Sequence, residues 1–382
     1  MKKIFSMLVI MALCINLMAQ GMNFSEDNWE TILAKAKAEN KIVFVDAYAV
    51  WCGPCKWMDA NVFIDEKVGD FYNANFINAK IDMEKGEGPE IAKTYKIQVY
   101  PTFLFINGDG ELVHKGTGGR PADKFIALGE AASDPTMQLL SLEQQYNKGE
   151  RSGEFMTRYA AALQDGGMNV AKVSDEYLST LDSYDDKGVM TFIYETTSLS
   201  TQKGFEIMAN NLDAYSKEFG KDKAEQKIDF ALKRVHFSSL EKMAEMYKKY
   251  FPKDAERMIA KHKMEYYMNA RSNEAPKKFF EAAVAYYDKY ETDNWNELNS
   301  VAWRVYEISD DETQLKKACA WAEKSVKLDA NASNMDTMAA VCFKMGKKRK
   351  AKKWAKKAIA VAKENNEDAS ATKELLKQIE AL

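Results

Sequence analysis

Two cysteines, Cys52 and Cys55, lie three positions apart in the chain, with Gly53 and Pro54 between them. This spacing suits three kinds of chemistry: thiol–disulfide exchange, part of a tetrahedral zinc site, or a short structural disulfide. A structural bridge is disfavoured because so short a loop removes little entropy from the unfolded chain. Zinc is disfavoured because the chain has no second close cysteine pair, and none of its three histidines has ligand spacing to this one. The spacing therefore favours a redox pair.

A buried strand is predicted at Ile42–Val45, and a helix is predicted to begin at the cysteines. Unpaired amide groups and the positive end of the helix dipole would then face the Cys52 sulfur. Both effects favour the thiolate and lower the pKa of Cys52. Cys55, one turn further into the helix, should be shielded yet able to attack Cys52 in a mixed disulfide. Pro54 fits the first helical turn, where no N–H is needed, and Gly53 leaves the sulfur open.

Asp46 lies in the apolar strand before the cysteines. Burial should raise its pKa, so that it can take a proton from Cys55 and return it through a water molecule. The alternative is a satisfied buried acid without a catalytic role, but the spacing to Cys52 favours the proton relay. Lys80, in a second strand predicted at Phe76–Asp82, can pair with Asp46 and tune its pKa. Lys80 can equally be a solvated strand residue.

The segment 24–133 alternates helix and strand patterns in the order α-β-α-β-α-β-β-α. Two further strands, Thr102–Ile106 and Glu111–Lys115, flank the residues Asn-Gly-Asp-Gly at 107–110, which indicate a hairpin. This order predicts an α/β domain with a mixed central sheet flanked by helices.

At the cysteines the sequence resembles the thioredoxin family. Trp-Cys-Gly-Pro-Cys-Lys at 51–56 is the active-site motif of that family, and the resemblance runs over about residues 24–133. It includes Asp46, Lys80 and the Tyr-Pro-Thr sequence at 100–102. The insertion at Lys85–Gly88 looks closer to exported thioredoxin-like domains, such as the terminal domain of the membrane electron transporter that supplies periplasmic reductant.

The resemblance also implies where a substrate binds. It implies that the Tyr100–Pro101 peptide bond is cis and faces the cysteines. A cis peptide bond has a low free-energy cost only when it precedes proline. The exposed backbone of Tyr100 would then pair with an extended substrate segment. Gly118 occupies the place of a glycine in the substrate-facing loop. The predicted substrate-binding residues are Trp51, Gly53, Pro54, Tyr100, Pro101 and Gly118.

Beyond Asp134 the pattern changes to helices joined by short loops, without any hairpin signal. The segments Trp321–Val326 and Trp354–Ile359 match each other at a spacing of 33 residues, which resembles a tetratricopeptide-type repeat. The predicted fold is thus an α/β thioredoxin-like domain followed by an all-α helical-repeat domain. We predict four segments: a signal peptide at 1–19, a thioredoxin-like domain at 20–134, an α-helical region at 135–294, and tetratricopeptide-like repeats at 295–382.

The first residues have the pattern of a secretory signal. Lys2 and Lys3 precede the apolar stretch Ile4–Leu17, and Ala19 offers a small residue for cleavage. We therefore expect export, to the periplasm, where the environment is oxidising. The formal net charge of −3 gives no support for nucleic-acid binding.

Two further cysteines, Cys319 and Cys342, are predicted on neighbouring repeat helices. We interpret them as small buried hydrophobic residues, with a disulfide between them as the alternative. The basic run at 347–357 is interpreted as a solvated helix face, with an acidic partner or an anionic membrane surface as the alternative.

These patterns predict an exported protein thiol–disulfide oxidoreductase without a small-molecule cofactor. A Gly-Pro pair between the cysteines implies, by resemblance, a reductase of disulfide-containing proteins. A reductant in an oxidising compartment must be recharged, which predicts a membrane electron-transfer protein as partner. Two alternatives stay open: a net disulfide oxidase or isomerase, and a helical binding scaffold with a redox-sensing domain.

Overall fold

The computed structural model describes residues 21–365 and 367–381. The predicted signal peptide at 1–19 lies outside the described residues. The chain divides into two compact units between Ala224 and Glu225, which we call the N-terminal unit and the C-terminal unit. The segment boundaries predicted at 134 and 294 remain predictions.

A four-stranded mixed sheet lies at the centre of the N-terminal unit, in the strand order β2-β1-β3-β4. The strands are β1 (Ile42–Tyr48), β2 (Phe76–Asp82), β3 (Thr102–Ile106) and β4 (Leu112–Thr117). β1 pairs parallel with β2 and antiparallel with β3, and β3 pairs antiparallel with β4 across the predicted hairpin. This arrangement confirms the predicted mixed sheet.

Helices cover both faces of this sheet: α1 (Trp29–Glu39), α2 (Gly53–Asn61), α3 (Glu66–Asn75), α4 (Gly88–Thr94) and α5 (Ala122–Ser133). Side chains alternate along β1, as the two-residue period of a strand requires. Phe44 packs on one face with aromatic residues of α3, β3 and α5, whereas Val43 and Val45 pack on the other with residues of α1 and α4. The continuous apolar run of β1 is therefore explained by burial on both faces.

The predicted element order contains one helix between the first two strands, whereas the structure has two, α2 and α3. The first of these helices, α2, ends at Asn61, and the side chains of Val62 and Phe63 that follow it are buried in the core. Asp65 then caps α3, since its Oδ1 accepts hydrogen bonds from the amides of Lys67 and Val68 at 2.9 and 3.2 Å. The aspartate cap was the sequence signal for this second helix.

Further helices follow residue 134 in the N-terminal unit, and the first two of them lie against β4. They are α6 (Leu139–Asn147), α7 (Gly153–Asp165), α8 (Ala171–Ser179), α9 (Lys187–Thr196), α10 (Lys203–Asn210) and α11 (Leu212–Phe219). The buried His114 of β4 accepts a hydrogen bond from the Leu139 amide at its Nδ1, at 3.2 Å. Arg120 pairs with Asp165 at 2.9 Å. An outer strand of the sheet is thereby held by packed helices rather than left open.

Within its described residues, the C-terminal unit consists of helices joined by loops. α12 (Lys221–His236) crosses the boundary, and α13 (Leu240–Tyr250), α14 (Ala255–Asn269), α15 (Ala275–Tyr287), α16 (Trp295–Ile308), α17 (Glu312–Leu328), α18 (Ala332–Lys344), α19 (Lys348–Glu364) and α20 (Ser370–Ala381) follow. Fully buried alanines such as Ala318, Ala322, Ala351 and Ala355 allow close helix contact. The all-α prediction is confirmed, and the tetratricopeptide-like character of 295–382 remains a prediction. No described helix is both long and apolar enough to cross a membrane.

Phe125 provides a test of the aromatic face of the sheet. It is fully buried, its ring stacks on Tyr72 at a centroid distance of 4.3 Å, and it contacts Phe44 and Phe103. We expect Phe125→Ala to lower the free energy of unfolding of the N-terminal unit by about 3–5 kcal/mol, because the substitution leaves a cavity. Ile64→Ala, at a side chain that is 67% exposed in the same unit, should stay within about 0.5 kcal/mol. Urea unfolding measures both, and equal losses would contradict the packing described.

Candidate active site

The two cysteines of the motif lie at the start of α2 and are joined by a disulfide, with an S–S distance of 2.04 Å. Cys52 is the N-cap residue of α2, and the Cys55 amide donates a hydrogen bond to the Cys52 sulfur at 3.1 Å. Pro54 stands in the first helical turn, as predicted. In the reduced protein the same amide and the positive end of α2 would stabilise a Cys52 thiolate. The helix start therefore activates Cys52 rather than Cys55.

Access to the sulfurs is narrow. Cys52 is 3% exposed and Cys55 is 2% exposed, while Gly53 and Pro54 between them are exposed. A side chain at Gly53 would project into open space, so its small size leaves the approach to the cysteines unobstructed. Burial alone does not distinguish the two sulfurs, whereas the position of Cys52 at the N-cap of α2 does.

Trp51 forms an exposed apolar wall beside the disulfide. It is 65% exposed, and its Nε1 donates hydrogen bonds to both carboxylate oxygens of Glu84 at 2.9 and 3.0 Å. Its ring meets Tyr100 edge-on at a centroid distance of 5.8 Å. These contacts keep the apolar indole ring of Trp51 exposed to solvent beside the disulfide, although an apolar ring is normally more stable when buried. The sequence analysis did not identify Glu84, because nothing in the motif points to a carboxylate after β2.

The second wall comes from the residues before β3. The Tyr100–Pro101 peptide bond is cis, as the resemblance implied, and Tyr100 packs against the two cysteines. The Gly118 amide donates a hydrogen bond to the Pro101 carbonyl oxygen at 2.9 Å. Gly118 has a φ of +80°, a backbone conformation that favours glycine. The fold thus places Tyr100 against the cysteines, with Pro101 and Gly118 next to it at the ends of β3 and β4.

Asp46 is fully buried in β1, where it is paired with Lys80 of β2 in the strand register. Among the described residues, neither of its carboxylate oxygens has a hydrogen-bond partner. The nearest cation is Lys80, whose Nζ lies 3.7 Å from Oδ2. Burial raises the pKa of Asp46 to about 7, against an opposing effect of Lys80 and with a further increase from the negative charge of Asp59. Asp46 can therefore hold or release a proton near neutral pH.

Lys80 connects this carboxylate to the cysteine helix. It forms an ion pair with Asp59 and lies over the Tyr48 ring at 4.9 Å, and Tyr48 in turn packs against the cysteines. Asp59 follows Cys55 by one helical turn, so both face the same side of α2. Lys80 is therefore ion-paired rather than merely solvated. Sequence analysis missed Asp59, although its spacing of four from Cys55 was a signal for it.

The described residues contain no group of three histidine, cysteine or acidic side chains placed to hold a metal ion. The arrangement can exchange a disulfide at the Cys52–Cys55 pair and move a proton at Asp46.

Comparison with known sequences agrees with this geometry. The sequence profile named Thioredoxin matches residues 21–130. Thioredoxin H-type of Oryza sativa subsp. indica is 37% identical over 99 residues, which cover 26% of this chain and 75% of the relative. Thioredoxin H4 of Arabidopsis thaliana is 35% identical over 99 residues, which cover 26% of this chain and 78% of the relative.

Solved structures give similar partial matches. A Bacteroides thetaiotaomicron protein described as a candidate disulphide-isomerase is 41% identical, with a TM-score of 0.29, covering 30% of this chain and 95% of that one. The C-terminal domain of Neisseria meningitidis DsbD in its oxidised form is 26% identical, with a TM-score of 0.25, covering 28% of this chain and 97% of that one. Because a curated relative above 30% identity is covered over three quarters of its length, the sequence comparison decides the family. This chain belongs to the thioredoxin family and is a thiol–disulfide oxidoreductase with Cys52 and Cys55 as its disulfide pair.

Proposed function

We propose that this protein is an exported reductase of protein disulfides. The observation that carries the proposal is the Cys52–Cys55 disulfide at the start of α2, with a buried carboxylate of raised pKa behind it. The Gly-Pro pair between the cysteines supports the reducing direction by family resemblance. Disulfide-containing proteins are the proposed substrates.

The substrate would bind as an extended segment. Its backbone pairs with that of Tyr100 beside the cis Pro101, in the manner of strand addition. Trp51 and the exposed Gly53 and Pro54 would border the same approach, and Gly118 is held beside Pro101 by its amide hydrogen bond. Binding through the backbone would leave the side-chain sequence of the substrate largely open.

The chemistry would proceed in two exchanges. The Cys52 thiolate attacks a substrate disulfide, forms a mixed disulfide and releases one substrate thiolate, which takes up a proton. Asp46, ionised, accepts the proton of Cys55 through a water molecule, and the Cys55 thiolate then attacks Cys52. The second substrate thiolate leaves and the 52–55 disulfide forms, so two electrons pass from the dithiol to the substrate. Lys80 tunes the pKa of Asp46 through their ion pair.

The rest of the chain completes the proposal. Residues 1–19 would direct export to the periplasm, and residues 20–134 would form the redox domain. In an oxidising compartment the oxidised protein needs recharging, so a membrane electron-transfer protein is the proposed reductant. The helical region at 135–294 and the tetratricopeptide-like repeats at 295–382 would bind substrates or partners.

The cysteine roles give the first test of this function. Purified protein should reduce insulin disulfides, and its reduction potential should be about −270 mV, the value typical of thioredoxin. Cys55→Ser should accumulate mixed disulfides through Cys52, because the resolving thiol is gone, and mass spectrometry should identify their partners. The matched Cys52→Ser/Cys55→Ser variant should trap none. A potential of about −120 mV would overturn the reductase direction in favour of an oxidase.

The carboxylate gives a second test, on the rate of the resolving step. In the unaltered protein this rate should rise with pH through about 7, since Asp46 must be ionised to accept the Cys55 proton. Asp46→Asn should slow the step by about 100-fold or more and remove the rise at that pH. Stopped-flow fluorescence of a preformed mixed disulfide measures both effects. An unchanged pH profile in Asp46→Asn would show that another group moves the proton.

The same substitution should also change stability in a pH-dependent way. Burial raises the pKa of Asp46 from its ordinary value to about 7, so the folded protein is more stable while Asp46 is protonated, and this stability is lost progressively as the pH rises from about 4 to about 7. This rise in the pKa of Asp46 corresponds to an upper limit of about 4 kcal/mol in the free energy of unfolding. Asp46→Asn should therefore raise the free energy of unfolding at pH 8 and have little effect at pH 4. Asp70→Asn, at an exposed site, should show no such difference.

A further inference from the structure

The C-terminal unit contains a second pair of cysteines, Cys319 on α17 and Cys342 on α18. Both are free thiols. Cys342 is fully buried in the core of this unit, and the half-buried Cys319 packs against the same core cluster. The disulfide considered from the sequence is therefore absent, but the two thiols share one environment.

The short connection between the two helices places Cys319 and Cys342 at about the same distance from the turn of the hairpin. Only residues 329–331 separate α17 from α18, so the helices form a hairpin. Cys319 lies nine positions before the end of α17, and Cys342 lies ten positions after the start of α18. At a rise of 1.5 Å per residue these positions are roughly 14 and 15 Å from the turn. The two cysteines are thus level across the hairpin.

A hydrogen bond near the turn fixes this register. The Asn334 side-chain amide donates to the Ser325 hydroxyl at 3.1 Å, and both residues are fully buried. Asn334 also takes part in the capping box that starts α18. Because a buried polar pair is costly to break, the hairpin cannot slide without loss of this bond. The alignment of Cys319 with Cys342 is therefore a stable feature of the unit.

The surroundings of the two thiols shift their pKa values in opposite directions. A hydrogen bond from Cys342 lowers the pKa of Cys319 to about 6, against the effect of burial, and Lys347 and Lys350 lower it further. The same hydrogen bond and burial raise the pKa of Cys342 well above its usual range. Cys342 also lies in the last turn of α18, where the helix dipole disfavours a negative charge. These effects favour a thiolate at Cys319, the more accessible sulfur, and a protonated thiol at Cys342.

We propose that Cys319 and Cys342 form a second redox-active dithiol, which small disulfides oxidise. The Cys319 thiolate attacks one sulfur of the incoming disulfide, forms a mixed disulfide and releases a thiolate. Cys342 then loses its proton to solvent and attacks Cys319, which releases the second thiolate and leaves a 319–342 disulfide. Two protein thiols are oxidised, and one disulfide is reduced to two thiols.

The test uses the full chain with Cys52→Ser and Cys55→Ser, so that the active-site pair cannot react. This protein is incubated with oxidised glutathione, and peptides are mapped by mass spectrometry without reduction. We expect a cross-linked peptide pair that contains Cys319 and Cys342, together with two glutathione molecules released per chain. A glutathione adduct that persists on Cys319, or no reaction at either cysteine, would overturn the proposal.

Single substitutions in the same background separate the two roles. Cys342→Ser should retain the glutathione adduct on Cys319, because no thiol resolves it. Cys319→Ser should leave Cys342 unmodified, because it is buried and protonated. Equal modification of Cys319 and Cys342 in these variants would contradict the assigned order of attack.

The pH dependence of alkylation tests the contact between the thiols. Alkylation of Cys319 by iodoacetamide should be half-maximal near pH 6, and at pH 7 it should be at least about 10-fold faster than that of Cys342. Cys342→Ala removes the hydrogen-bond donor and should move the midpoint to higher pH. Cys342→Ser keeps a donor and should leave the midpoint near that of the parent. A midpoint that is the same in the alanine and serine variants would show that the thiols do not interact.

Discussion

A carboxylate inside the sheet is the constraint on which the redox site depends. Asp46 is fully buried among apolar strand residues, and Lys80 at 3.7 Å is its nearest cation. A buried charge without hydrogen bonds is unfavourable, so the group responds by binding a proton at higher pH than usual. The hydrophobic packing of Phe44, Val43 and Val45 around β1 holds the strand in place despite this cost. The same packing that stabilises the domain therefore creates a group that titrates near neutral pH.

The start of α2 supplies the complementary element. A helix needs acceptors for its first amides, and here the Cys52 sulfur accepts the bond from the Cys55 amide. Ordinary helix capping and activation of the nucleophile are thus one interaction. The ion pair between Asp59 and Lys80 ties the following turn of α2 to β2, so the helix start keeps its position over the sheet. Trp51, held by Glu84, and Tyr100 then border the sulfurs.

The two thiol pairs use related physics in different frameworks. In both, a hydrogen-bond donor and a nearby positive charge or dipole favour a thiolate on one cysteine of the pair. At Cys52 the donor is a backbone amide at a helix start, and the second sulfur is three residues away. At Cys319 the donor is the thiol of a neighbouring helix, and the positive charges are the lysines after α18. The first pair depends on local chain geometry, while the second depends on the register of a helical hairpin.

Sequence alone determined the features that depend on local pattern. The apolar runs of β1 and β2, the Asn-Gly-Asp-Gly hairpin and the helix start at the cysteines are set by residues close together in the chain, and the structure agrees with them. The mixed sheet, the all-α remainder and the redox pair could be predicted for this reason. The second helix before β2, α3, was not predicted because its only local signal was the N-cap residue Asp65.

Only the tertiary structure decided which distant groups meet. It placed Asp59 against Lys80 and Glu84 against Trp51, and it set Cys342 beside Cys319. It also showed α6 and α7 packed on β4 beyond the predicted end of the domain. These contacts join residues far apart in the chain, and each exists only because packed cores fix the relative positions of whole helices and strands. No local sequence pattern predicts which distant residues come into contact. Those contacts follow from the packing of the core and the register of the strands.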